Sequence, residues 1–265
     1  MSKKFYITTP IYYANDPPHV GSAYTTIAAD VLARYHRLMG EEVFFLTGTD
    51  EHGEKVAQTA EKASKSPQEF VDEIAESFKK AWRALNISYD DFIRTSEERH
   101  KKGVQKFLLK LKKSGKIYQG KYEGFYCVGC EKFITKKELV DGKCPDHQKE
   151  PKKISEINYF FKLSDFLEPV KKLIVSDKIR IEPLERKNEV LALLGQELED
   201  FSISRQKVKW GISLPFDKKQ ISYVWMEALL NYITAINYEN DSKKFNKFWP
   251  VNLHLIGKDI LKFHA

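Results

Sequence analysis

The chain has 265 residues, of which 42% are hydrophobic, so it is long enough for one large domain or two small ones around a packed core. Its N-terminal residues include lysines and no apolar run long enough for a secretion signal or a membrane span. We therefore expect a globular cytoplasmic protein. The formal net charge of +7 favours a polyanionic partner, but many proteins without one are equally basic.

The N-terminal segment predicts a strand, a turn, a helix and a second strand. Residues 4–13 form a β-branched and aromatic run typical of a buried strand, and the turn at 15–18 follows. A second buried strand is predicted at 42–47, before a polar loop at 48–53. This βαβ order indicates a parallel sheet. The helix between the strands is predicted from apolar residues at helical spacing, namely Val20, Tyr24, Ile27, Ala28, Val31, Tyr35 and Leu38.

Two further amphipathic helices are predicted before residue 115. Ser66 and Glu69 have the spacing of a capping box, and Pro67 stands at the first helical position. The second helix carries an apolar stripe around Leu108. Eight lysines and no acidic residue lie at 101–121, which indicates a solvated helix face more than a nucleic-acid contact.

The pattern changes after Gly115, where short aromatic segments surround the cysteines. We interpret this part as an inserted module. The remaining predictions are strands at 116–118 and 122–126, a helix at 185–198, extended segments at 210–215 and 220–224, a helix at 225–236, a strand at 251–256 and a helix from Asp259 onward.

Three cysteines and one histidine have the spacing of a metal site. Cys127 and Cys130 form one pair, and Cys144 and His147 form another after thirteen intervening residues. Each two-residue turn directs two side chains at one ion, which suits tetrahedral zinc. Four protein ligands leave no open position, so the expected Zn²⁺ is structural. The alternative is a set of free thiols near a surface histidine.

The turn between the first strand and the first helix carries His19, Gly21 and Ser22. A helix N-terminus presents free N–H groups and the positive end of a dipole, which suit ATP phosphates. Gly21 allows a ligand to approach the backbone, and His19 can donate to a phosphoryl oxygen. Taken alone, His19 is better explained as a residue that caps the turn.

Several segments together are similar to the methionyl-tRNA synthetase family of class I enzymes. These are ITTPIYYANDPPHVGSAYTTIAADVLARYHRLMGEEVFFLTGTDEHGEKVAQ, YEGFYCVGCEKFITKKELVDGKCPDH, FSISRQKVKWGISLP, YVWMEALLNYITA and LIGKDILKFHA. They occur in the order of the family and cover essentially the whole chain. The resemblance implies an α/β fold, a Rossmann-like class I synthetase catalytic domain with a parallel sheet, interrupted by a small zinc-binding connective insertion. It implies a first half at 1–115, an insertion at 116–201 with its zinc knuckle at 127–147, and an incomplete second half at 202–265.

The resemblance also implies roles for individual residues. His19, Gly21 and Ser22 occupy the class I signature and would act on ATP, with Gly257 and Asp259 at the ribose. Arg205 resembles an active-site arginine of the family, with a surface salt bridge as the alternative. The implied methionine site, in which Asp50 holds the ammonium group, is Ile11, Tyr13, Asp50, Trp225, Ala228, Leu229, Tyr232, Ile260 and His264. Without the family, Ile11, Ala228 and Leu229 would be assigned to the core.

Two substitutions and one gap separate the chain from the family pattern. Ser22 replaces a histidine of the strict signature, and Glu227 stands where an aspartate is usual. The chain contains no Lys-Met-Ser-Lys-Ser loop and no helical anticodon-binding domain.

The implied reaction is the activation of L-methionine by ATP, with Mg²⁺, and its transfer to tRNA(Met). The missing loop implies weak activity or none. The alternatives are a paralogue or fragment that binds methionine, ATP or a tRNA acceptor end without turnover, and a zinc-knuckle RNA-binding protein.

Overall fold

A computed structural model describes residues 3–134, 136–196, 198–240 and 243–264. The strands are β1 (Lys4–Tyr13), β2 (Glu42–Asp50), β3 (Asp91–Arg94), β4 (Ile117–Cys127), β5 (Lys132–Ile134), β6 (Lys152–Phe161), β7 (Phe201–Ser202), β8 (Ser204–Arg205), β9 (Ser213–Leu214), β10 (Asp217–Ser222) and β11 (Leu253–His254). The α-helices are α1 (Val20–Leu38), α2 (Glu54–Lys62), α3 (Pro67–Ala84), α4 (Glu98–Lys113), α5 (Leu167–Val175), α6 (Leu184–Leu194), α7 (Val224–Ala228), α8 (Asn231–Thr234), α9 (Lys243–Phe248) and α10 (Leu261–His264).

A four-stranded parallel sheet in the order β11-β1-β2-β3 organises the structure. Its strands bury apolar side chains such as Ile7, Phe45 and Leu46 completely. Helix α1 connects β1 to its neighbour β2, as the predicted βαβ order requires. The prediction of an α/β fold with a parallel sheet is therefore confirmed. Strands β2 and β11 lie on opposite sides of β1, so the strand order changes direction there. Ligands commonly bind at the carboxyl ends of the strands beside such a position.

Helix α1 spans the predicted residues, but its predicted apolar stripe lies on the solvent side. Val20 and Leu38 are 86% and 87% exposed. The face towards the sheet instead carries small residues, including Ala29 and Ala33, which are fully buried. Small side chains let the helix pack close to the strands, so the periodicity located the helix but not its buried face.

The predicted capping box of α3 is present. The Ser66 hydroxyl accepts from the Glu69 N–H, and the Glu69 carboxylate accepts from the Ser66 N–H at 2.9 Å. The helix buries Phe78 and Trp82 against the core, while Leu85 at its C-cap is 44% exposed.

Residues between α4 and β8 form an antiparallel sheet in the order β5-β4-β6-β7. The two short aromatic strands predicted here are one continuous strand, β4, because β6 pairs with it without interruption from Ile117 to Tyr126. Helices α5 and α6 pack on each other, and Leu261 of α10 joins their apolar contact. The predicted helix at 185–198 ends earlier, at Leu194.

Other boundaries differ from the predictions. The predicted loop at 48–53 begins inside β2, because Gly48 and Asp50 pair with β1. The predicted helix at 225–236 is divided into α7 and α8, and the strand predicted at 251–256 is reduced to β11. Among the described residues, no helix has the length and apolar character needed to cross a membrane.

Candidate functional site

A cavity of about 570 Å³ opens at the carboxyl edge of the parallel sheet. The ends of β1 and β2 line it, together with the residues that follow β11. Helices α7 and α8 form another wall. Every residue predicted for the methionine and ATP sites lines this cavity, namely Ile11, Tyr13, His19, Gly21, Ser22, Asp50, Trp225, Ala228, Leu229, Tyr232, Gly257, Asp259, Ile260 and His264.

The turn before α1 is held by its own hydrogen bonds. The Nδ1 atom of His19 accepts from the Gly21 N–H at 3.1 Å. The Ser22 hydroxyl accepts from the His19 N–H at 3.0 Å and donates to the His19 carbonyl at 2.7 Å. Ser22 is 2% exposed, so its hydroxyl shapes the turn. His19 caps the helix as its alternative interpretation required, yet its ring remains exposed at the cavity.

Asp50 carries the main electrostatic feature of the cavity. Its Oδ1 atom is buried and has no hydrogen-bond partner. Burial and the nearby carboxylates of Glu227, Glu131 and Glu51 raise its pKa well above the ordinary value, and a bond from the His52 N–H opposes them. An unpaired acidic group among three others is an environment that favours a bound cation.

Aromatic rings from α7, α8 and α10 also line the cavity. Trp225 stacks on Phe263 with 4.1 Å between ring centroids, and its Nε1 atom is buried without a partner. The Tyr232 hydroxyl lies 2.8 Å from His264 Nε2, while His264 Nδ1 lies 2.9 Å from the Ile260 carbonyl. A proton on Nδ1 therefore donates to Ile260, and Nε2 accepts from Tyr232. Burial lowers the pKa of His264 and favours this neutral ring.

The residues after β11 border the same space. Asp259 lies in a single turn of 3₁₀ helix, Lys258–Ile260, which Gly257 precedes. A side-chain carbon at Gly257 would meet no atom within 4 Å, so open space lies above this position. Both residues are exposed at the strand end, where a ligand can reach them.

The four predicted metal ligands converge. Ligand atoms of Cys127, Cys130, Cys144 and His147 all lie within 4.8 Å of one another. A Cβ at Gly129 would approach the His147 ring to 2.5 Å, so glycine is needed there for the two turns to meet. This cluster can hold a metal ion, and thiolates with imidazole are a donor set that zinc prefers.

Arg205 does not line this cavity. It lies in a neighbouring one, where its guanidinium is 3.9 Å from the centre of the Tyr126 ring and its Nε donates to Glu156 at 3.2 Å. It is 4% exposed, so the alternative of a surface salt bridge is wrong. Its Nη1 atom has no partner.

Sequence reasoning missed several polar residues around the cavity. Glu131 lines it and accepts from the Tyr13 hydroxyl at 3.1 Å and from the Lys55 N–H at 2.6 Å. His52 and His100 both contact Glu227. The only sequence signal for Glu131 is its place directly after Cys130, and nothing in the local sequence pairs Glu227 with either histidine.

The chain is similar to known proteins over nearly its whole length. A family model described as "tRNA synthetases class I (M)" matches residues 5–156 and 147–265. The methionine–tRNA ligase of Thermotoga maritima is 51% identical over 99% of this chain and 42% of its own length. That of Streptomyces coelicolor is 48% identical over the full chain and 51% of its own length. The chain thus spans about half the length of these relatives.

Solved structures are similar in fold. A Mycobacterium tuberculosis methionyl-tRNA synthetase in complex with methionyl-adenylate superposes with a TM-score of 0.95 at 39% identity, covering 99% of this chain and 52% of that one. The free-state structure from the same organism gives 0.84 at 36% identity, covering 100% and 52%.

Proposed function

Since the chain belongs to the family of class I tRNA synthetases of the M type, we propose that it is part of a methionine–tRNA ligase and binds L-methionine and ATP in the cavity at the sheet edge. The observation that carries this proposal is the Oδ1 atom of Asp50, a buried acceptor without a hydrogen-bond partner. A cationic ligand would offset the burial and the neighbouring negative charges that raise the pKa of this carboxyl. The activity, substrates and partners of the whole ligase are part of the same proposal.

The ammonium group, the carboxylate and the thioether of methionine each have a suitable partner in the cavity. Its ammonium group would bind Asp50 and relieve the repulsion that raises the pKa of that carboxyl. The orphaned Trp225 Nε1 is a donor for a carboxylate oxygen. The flexible and polarizable thioether suits the aromatic and aliphatic walls, which are Ile11, Tyr13, Trp225, Ala228, Leu229, Tyr232, Ile260 and His264.

ATP, which enters as its Mg²⁺ complex, would lie across the turn before α1. The positive end of the α1 dipole and the exposed ring of His19 favour phosphate, while Ser22 acts indirectly by holding the turn. Gly257 and Asp259 would contact the ribose at the neighbouring strand end.

The proposed reaction is adenylation. The methionine carboxylate attacks the α-phosphorus in line, a new oxygen–phosphorus bond forms, and pyrophosphate leaves. A ribose hydroxyl at the 3′ end of tRNA(Met) then attacks the acyl carbon of the adenylate, an ester bond forms, and AMP leaves. The residues contribute position and charge stabilisation, so His19 is an electrostatic donor and not a nucleophile.

The remaining assignments support this role. We propose that Cys127, Cys130, Cys144 and His147 hold a structural Zn²⁺ within an insertion at 116–201, which separates catalytic halves at 1–115 and 202–265. Arg205, in the cavity beside the proposed methionine and ATP site, would donate a hydrogen bond through its buried, unpaired Nη1 atom. We propose that the protein acts in the cytoplasm, where aminoacylated tRNA is used in translation.

Calorimetry of L-methionine binding tests the proposal. The parent chain should bind methionine, and Asp50→Asn should lose about 2 to 5 kcal/mol of binding free energy because it leaves the ammonium group without its charge partner. Norleucine, which keeps the ammonium group but lacks the sulfur, serves as the ligand control. Equal methionine affinity of parent and variant would overturn the assignment of Asp50, and methionine binding without ATP–pyrophosphate exchange would favour a binding module.

A further inference from the structure

A buried carboxylate, Glu227, joins two histidines next to the cavity. Its Oε1 lies 2.6 Å from His52 Nδ1, and its Oε2 lies 3.1 Å from His100 Nε2. Glu227 and His100 are 0% exposed and His52 is 2% exposed. Glu227 itself does not line the cavity, although its helix α7 does.

The three side chains join three separate elements. Glu227 belongs to α7, His52 to the segment directly after β2, and His100 to the first turn of α4. His100 Nδ1 lies 2.8 Å from the Thr234 hydroxyl of α8, so the connection extends to the helix after α7.

Glu227 is charged in this arrangement. Burial raises the pKa of a carboxyl group, but the attraction and hydrogen bonds of His52 and His100 outweigh burial and leave the pKa of Glu227 below its ordinary value. Each carboxylate oxygen then accepts from a ring N–H. A buried charge held in this way cannot lose a partner without a large cost.

The connection reaches the amino-acid site through the backbone. His52 follows Asp50 by two residues, and its ring contacts both the Glu227 carboxylate and the Trp210 ring, whose centroid lies 5.2 Å from that of His52. Helix α7 also carries Trp225 into the cavity. One carboxylate therefore connects the segment that follows Asp50 with the helix that carries Trp225.

We propose that Glu227 is a positioning residue for the amino-acid site, which holds Asp50 and Trp225 in register through its bonds to His52 and His100. The proposal deepens the proposed function and rests on methionine being the ligand. It assigns a task to Glu227 that requires both of its oxygens at once.

Calorimetry with methionine and with ATP tests this proposal. Glu227→Gln replaces one acceptor by an amide NH₂, which opposes a ring N–H, and should lower methionine affinity about tenfold, because a buried donor is left without its acceptor. ATP affinity should change little, because Glu227 takes part in none of the hydrogen bonds that hold the turn at His19. Glu227→Asp keeps the charge but is one carbon shorter, so it should restore only part of the affinity.

Asp30→Asn is a matched control. Asp30 is also a buried acid, 6% exposed, that binds Ser88 and Arg34 away from the cavity. This variant should lower the unfolding temperature without a change in methionine affinity. If Glu227→Gln weakens ATP and methionine equally, or weakens neither, the positioning role is wrong.

Hydrogen exchange separates this inference from the proposed function. In Glu227→Gln, residues 50–53 should exchange faster while residues 127–147 stay unchanged. If the parent does not bind methionine, the proposed function fails, and unchanged exchange at 50–53 would overturn the connection through Glu227 independently.

Discussion

The Nδ1 atom of His19 accepts a hydrogen bond from the Gly21 N–H at 3.1 Å. An accepting Nδ1 places the proton of a neutral imidazole on Nε2, because the two ring nitrogens share one proton. Capping the helix therefore selects the tautomer whose N–H faces outward. The two interpretations of His19 are therefore compatible, because Nδ1 caps the helix while the Nε2–H group is left to donate to a ligand.

This relationship predicts opposite behaviour for two substitutions of His19. His19→Asn keeps an acceptor near Gly21 and should preserve stability, but it removes the outward donor and should slow methionine-dependent ATP–pyrophosphate exchange about 10²- to 10³-fold. His19→Gln should retain more activity and lose about 1 kcal/mol of unfolding free energy with the cap. Chemical denaturation and exchange assays measure the two properties, and parallel losses in both variants would contradict the division.

Asp50→Asn should stabilise the unliganded chain at neutral pH. Because the folded pKa of Asp50 is raised, the folded state binds the proton more tightly, and stability is lost as pH rises above about 4. The amide lacks this charge, so the advantage of the variant should appear at pH 7 and vanish near pH 4. Thermal unfolding across this range, without methionine, measures it, and a destabilised variant at pH 7 would count against the raised pKa.

Loss of the metal should loosen the insertion and leave the parallel sheet intact. Elemental analysis should find one zinc per chain. Cys144→Ser should increase proteolysis and hydrogen exchange within 127–147, because that segment has few apolar residues other than its ligands, while β1 and β2 remain protected. Absence of zinc, or an unchanged exchange pattern, would refute the metal assignment.

His264 should make the end of the structure sensitive to acid. Burial lowers its pKa in the folded state, so its contribution is fully present above the unfolded pKa of about 6.5 and is lost as pH falls below it. Compared with His264→Gln, the parent should therefore lose its stability advantage on acidification. Thermal unfolding of both proteins between pH 7.5 and about 5 tests this, and a pH-independent difference would be the opposing result.

The positions that sequence predicted well are those whose chemistry is local. The capping box at Ser66 and the cysteine pairs each need only residues a few positions apart, and the resemblance supplied the cavity residues. The bond from His52 to Glu227 joins residues 175 positions apart, so no periodicity or spacing announces it.

Burial was harder to predict than secondary structure. The stripe on α1 is apolar and exposed, while its buried face includes the charged residue Asp30, which is satisfied by Ser88. Helical spacing measures only which residues share a face. Which face of a helix is buried depends on residues that are distant in sequence. The positions at which α7 and β11 end depend on distant residues in the same way.

Glu131 gives the metal cluster and the cavity a common part. It directly follows Cys130, is 3% exposed and accepts from the Tyr13 hydroxyl. If metal binding stabilises this position of Glu131, it also stabilises the present shape of the cavity that Glu131 lines. Thermodynamic linkage makes such a preference reciprocal: the factor by which metal tightens the amino acid is the factor by which the amino acid tightens the metal. An ion held by Cys127, Cys130, Cys144 and His147 would thereby also be an effector of the amino-acid site.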